Sequence, residues 1–246
     1  MQDSEARQIH ELALEAQEKG DFVKALQLEV QAMVLYQRSG DQQGISEIQA
    51  MFFLTYRHLY QQTEDPNYLV LAKYAAMSAV ELAQKFGDNT TLAVPFINLA
   101  RSQEMLGEYQ DANQSFKEAI EHILNNPPQT HDNEAIKLDF QIHYFTSELR
   151  NGDLSFKDKT LETLKKLETA EGATDYERGV WLSGGYMRLT EVLKDKEPEE
   201  AKKYLDEAKK IIDKDSRLSL RLKQWEKLAK GFTAIGVVIT ASSLLR

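Results

Sequence analysis

Catalysis needs groups of complementary chemistry held at a fixed spacing, and the chain offers several fragments of such sets. His10-Glu11 begins the helical zinc-hydrolase signature, in which a second histidine one turn later completes the ligand pair and the glutamate activates water. Leu14 occupies that second position, so the ligand pair is broken. The other histidines, His58, His122, His131 and His143, are scattered and read as surface or packing residues. Ser183-Gly184-Gly185 lacks the Gly-x-Ser-x-Gly spacing of a nucleophile elbow, and no glycine-rich loop is present to cradle phosphate. Paired carboxylates at Glu199/Glu200 and Asp213/Asp215 sit among lysines, the pattern of solvated helix faces. Phe52, Phe53, Tyr56 and Tyr60 recur at helical spacing and read as core. Cysteine is absent, which excludes thiolate catalysis, disulfides and iron–sulfur ligation. No catalytic residue, metal or cofactor is therefore expected, and the chain reads as a non-enzyme.

The charge balance points away from polyanions. Thirty Lys+Arg against 39 Asp+Glu give a net charge of −9, which repels a phosphate backbone and anionic lipid. Nucleic acid is not an expected partner. Composition is that of a water-compatible chain, with 42% hydrophobic and 28% charged residues, and 12 Gly and 5 Pro are too few for a turn-rich β protein. The opening residues Met1 to Arg7 lack a basic-then-apolar run, so the cytoplasm is the expected location.

The elements that must position any functional group are helices. Apolar residues recur three and four apart in Ile9, Leu12, Ala13 and Ala16, and again in Ile211, Ile212, Leu218 and Leu222. Alternating runs that would argue for strands are missing, apart from Val237-Val238-Ile239-Thr240. A glycine followed by an acidic residue recurs at Gly20-Asp21, Gly40-Asp41, Gly87-Asp88, Gly107-Glu108 and Gly152-Asp153. Each pair predicts a helix-to-helix turn: glycine takes the left-handed conformation that ends one helix, and the carboxylate accepts the open N–H groups of the next. Pro95 and Pro198 fall where helices begin. The stretch 125–133 is the one evident loop.

An alanine is followed seven residues later by another at Ala25/Ala32, Ala72/Ala79, Ala112/Ala119 and Ala201/Ala208, which puts small residues on one helix face, where backbones can approach. Phe96-Ile97-Asn98-Leu99-Ala100 leads to Leu106-Gly107-Glu108-Tyr109, then Ala112, Phe116 and Ala119. This resembles the tetratricopeptide-repeat (TPR) pattern. Ile9, Leu12, Ala13, Gly20, Asp21, Phe22, Ala25 and Ala32 match it too, while Glu29 stands where an aromatic or apolar residue is usual, suggesting an exposed or terminal unit. The resemblance implies an all-α, TPR-like alpha-alpha superhelix, a solenoid of about five helical hairpins plus a C-terminal helix. Residues 1–230 form the repeat domain, and 231–246 an apolar capping helix or tail.

In such repeats the first helix of each hairpin lines a concave surface that holds a protein or peptide. The carry-over assigns that role to His10, Leu14, Arg57, Gln61, Asn98, Arg101, His143 and Thr146. Some members grip a C-terminal carboxylate with Lys, Asn and Arg. Asn98 and Arg101 match part of that set, whereas His10 and Leu14 replace Lys and Asn in the first unit, so a full clamp is not expected. The expected function is a protein-interaction scaffold. Residues 231–245 carry no charge, so self-association or a membrane tether through that segment is the alternative, although it is shorter than the ~20 residues a span requires.

Overall fold

The structure is a computed structural model that describes the backbone of residues 2–86 and 89–243, with side chains described for 5–86, 89–129 and 131–232. Among the described residues it is all helical, with α1 Gln2–Glu18, α2 Phe22–Ser39, α3 Gln42–Thr63, α4 Asn67–Phe86, α5 Ala93–Met105, α6 Tyr109–Asn125, α7 Glu134–Arg150, α8 Phe156–Leu167, α9 Asp175–Leu193, α10 Pro198–Ile212 and α11 Ser219–Ser243. The helices pair as five antiparallel hairpins followed by α11, as expected. The backbone at Val237 to Thr240 is helical, so the alternating run there is not a strand. Two compact units result, Met1–His131 and Asp132–Arg246.

The turns show how local chemistry ends and restarts helices. Gly20, Gly40, Gly107 and Gly152 all have positive φ, between 74° and 105°. Asp21 and Asp41 then accept the backbone N–H of Lys24 and Gly44, as predicted for capping carboxylates. Glu108 does not cap. Its longer side chain reaches Lys73 of α4, 2.6 Å away. Asp153 instead accepts the N–H and hydroxyl of Ser155, making a local turn before α8. The turn predicted at Gly87-Asp88 lies outside the described residues. Pro198 is the first residue of α10 and Pro95 lies in the first turn of α5, where a missing N–H leaves no helical bond unmade.

In the first unit, α3 seats on α2 and α5 on α4. The seams are closed by the alanine pairs, none of which is more than 1% exposed. Tyr36, Ile48 and Phe53 fill the space between them. Gly44 is required by a close approach: a Cβ there would fall 2.3 Å from the Tyr36 ring. Leu12 departs from its expected role as a core anchor and is half exposed. Leu99, the matching residue of α5, is buried in the cluster that contains α4 residues.

In the second unit α9 pairs with α10 and, of the preceding hairpin, meets α7 more than the 12-residue α8. Gly185 of α9 lets the helices close, with Leu164 and Ile142 within 3.0 Å of the position a Cβ would take. Lys157 occupies a place where the repeat pattern has alanine. It is half-buried and pairs with Glu197 and with Glu200 at 2.7 Å, leaving Thr160, Leu164 and Leu167 to face the core. α11 docks through Trp225, whose indole N–H donates to the Leu205 carbonyl at 2.9 Å, and Leu218, just before the helix, is buried. The side chains beyond Phe232 lie outside the described residues, and so does the capping, self-association or tethering role expected of 231–246. Among the described residues no helix is long and apolar enough to cross a membrane.

Candidate partner-binding face

Each residue expected on the binding face belongs to the first helix of a hairpin, but the helices turn them to different surroundings. Leu14 of α1 is exposed, and Arg57 and Gln61 of α3 and Arg101 of α5 are half-buried. The Arg57 guanidinium lies over the Phe53 ring, 5.6 Å from its centroid, where attraction to the ring face helps hold the long side chain in place. Gln61 meets His58 through its side-chain oxygen at 3.2 Å. His58 stacks on Phe22 with centroids 4.9 Å apart, and burial lowers its pKa to about 4, so the imidazole is neutral at physiological pH.

His10, Asn98 and Thr146 are buried rather than presented to solvent. His10 lies one helical turn from both Ala6 and Ala13 and shares their inward face. Its Nδ1 is 3.1 Å from the Tyr36 hydroxyl, and Glu47 of α3 approaches to 3.8 Å. Burial and the neighbouring Arg7 lower its pKa. Arg7 itself pairs with Glu47 at 2.6 Å, bridging α1 and α3.

In the second unit the α7 residues His143 and Thr146 come together with Arg188 of α9, which sequence reading did not single out. Arg188 donates through Nε to Thr146 at 2.9 Å and through Nη2 to the His143 carbonyl at 3.4 Å. Thr146 in turn donates to the Ile142 carbonyl at 2.8 Å. Asp139, also buried, lies 3.9 Å from His143. Arg188 falls 42 residues from Thr146, so nothing local announces the pairing.

Two further features escaped the sequence pattern. Glu29, expected on an exposed or terminal unit, is wholly buried. One of its carboxyl oxygens accepts from the Thr55 hydroxyl, 26 residues away, a partner that only tertiary packing supplies. The outer faces of α2 and α4 also expose Val23, Val30 and Val34, and Val70, Leu71 and Tyr74. The corresponding positions on α6 and α10 are polar, as at Gln110, Lys117 and Glu121 and at Glu199, Asp206 and Lys210. That contrast between helices was readable from the sequence, since it needs only the alanine register as a guide.

Among the described residues no cluster of three or more His, Cys, Asp or Glu could hold a metal ion. Ser183 is a helical core residue donating to the Gly179 carbonyl at 2.6 Å, so its hydroxyl is already engaged. Glu29 has a carboxyl near neutrality, which would suit proton transfer, yet it has no exposed surface to meet a substrate.

No protein-family model matches the chain, and no curated protein matches it. Among solved structures the chain is similar to BtubC (BKLC) from P. vanneervenii, with a TM-score of 0.61 and 22% identity, covering 83% of this chain and 78% of that one. It is also similar to two structures of nearly identical TPR-like repeats of a kinesin light chain-like protein from Podosopora anserina. These give TM-scores of 0.58 and 0.57 at 15% and 16% identity, covering 88% and 86% of this chain and 99% and 96% of the others. The likeness shows the fold, a TPR-like helical repeat.

Proposed function

We propose that the chain is a non-enzymatic scaffold that recruits a partner protein or peptide on the first-helix face of its first unit. The observation that carries this reading is that three successive first helices, α1, α3 and α5, each bring an exposed or half-exposed group to solvent: Leu14, Arg57 with Gln61, and Arg101. An apolar side chain and two planar guanidinium groups are the kind of anchors from which interfaces draw most of their binding energy. TPR-like folds generally serve protein interaction, which supports the same reading. The cysteine-free sequence fits a reducing compartment, and we place the scaffold in the cytoplasm.

The exposed apolar residues of α2 and α4 favour a second reading, in which the partner docks on the outer face. Two variants separate the alternatives when partners cross-linked in the native cell are compared with those of the wild type. Arg57→Ala with Arg101→Ala is expected to lose the partner while helicity by circular dichroism stays unchanged. Retention by that variant, with loss from Val30→Glu with Leu71→Glu, would move the interface to the outer face.

A further inference from the structure

Glu29 lies four residues after the first alanine of its pair, where α4 has Ala76, α6 has Phe116 and α10 has Leu205. All four side chains are buried, and Glu29 alone among them is ionisable. The Thr55 hydroxyl donates to Glu29 Oε1 at 2.5 Å, and Gln17 Nε2 donates to the Thr55 hydroxyl at 2.9 Å. One chain of hydrogen bonds therefore ties α1, α2 and α3 together. The second carboxyl oxygen, Oε2, is buried with no hydrogen-bond partner among the described residues.

A carboxylate offers about four acceptor sites, and this one is served at a single site. From α1 the group is met by neutral Gln17, and from α3 by Thr55 and by Tyr56, whose phenol is held above its ordinary pKa by burial and by the charge on Glu29. Among the described residues no cation contributes to Glu29's ionisation. An unpaired charge in such a place is costly, whereas a neutral acid is tolerated.

We infer that Glu29 is a proton-operated latch on the seam between the α1–α2 hairpin and α3: the neutral acid lets the seam close, and loss of the proton loosens it. Burial, opposed by the Thr55 hydrogen bond, raises the carboxyl to about 7, so the latch works near neutral pH. Once the seam opens, water returns the group to its ordinary range and the open form binds fewer protons. Closure therefore weakens as pH rises from about 4.5 to about 7 and changes little above that. His10 and His58 act in the opposite sense. Burial lowers the pKa of both in the closed form, so their contribution is complete above the ordinary histidine pKa of 6.5 and declines below it. The latch is independent of what the first-helix face binds.

The test is amide hydrogen exchange across α1 and α2 of the full chain, from pH 5 to 8, with protection factors corrected for intrinsic exchange. Comparing wild type with Glu29→Gln cancels the histidine contributions. Wild-type protection is expected to fall relative to the variant on the order of a hundredfold across the range. Equal pH dependence in the two proteins overturns the latch. If Glu29→Gln does not fold, titration of the Glu29 carboxyl carbon by NMR in the wild type decides: a midpoint near 7 supports the inference, and one in the ordinary carboxylate range refutes it.

Discussion

The two units use the same hairpin but differ in surface and in seam. Residues 1–131 hold 9 basic and 18 acidic side chains, whereas 132–246 hold 21 of each, so the whole net charge of −9 resides in the first unit. Yet it is the acidic unit that exposes apolar side chains on the outside of α2 and α4. The second unit clothes α8 and α10 in charge, with pairs such as Glu162–Lys166 at 2.7 Å and Glu207–Lys210 at 2.6 Å. Internally, the first unit buries a carboxyl in an apolar seam, and the second cross-links its helices with Arg178 and Arg188. The difference teaches that the alanine register specifies the hairpin, while the residues between and outside the alanines set what each unit can do.

The largest expected effect tests whether Phe116 and Glu29 occupy one structural position. Phe116 is fully buried in α6, and Phe116→Ala is expected to destabilise the first unit by about 3–5 kcal/mol, measured by urea unfolding. A loss below about 1 kcal/mol would break the equivalence. Next comes Arg178, whose guanidinium donates to the carbonyls of Leu167, at the end of α8, and of Ala170 and Ala173, in the connection that follows, at 3.1, 2.7 and 3.1 Å. Arg178→Ala is expected to destabilise the second unit by about 1–3 kcal/mol and to speed exchange in α8 while α2 is untouched. Equal acceleration in both helices would show that the two seams are not independent. The smallest effect concerns the outer stripe: Val30→Glu with Leu71→Glu should change thermal stability by no more than about 0.5 kcal/mol, because both side chains face solvent. A marked loss would mean that these residues are covered by the chain's own packing.

Much of the fold was legible because its signals are local. Glycine φ and helix capping act over a few residues, and the turns at Gly20 and Gly40 follow the pattern in full. The turn at Gly107 shows where locality ends: one extra methylene lets Glu108 prefer a distant lysine to its own helix. On the binding face, Leu14 and His10 stand four residues apart on one helix, yet one is exposed and the other is roofed by Tyr36 and Glu47. The pattern could not separate them, because both coverings come from other helices.

The sequence by itself determined the helices, the hairpin pairing and the alanine seams, since helical period, turn chemistry and side-chain size operate over one or two turns. Only the tertiary structure decided that Glu29 is sealed beneath Thr55, that Arg188 joins Thr146 and that Arg178 closes the end of α8. Burial and polar pairing there depend on which helix comes to lie opposite, and that choice joins residues as many as 45 positions apart.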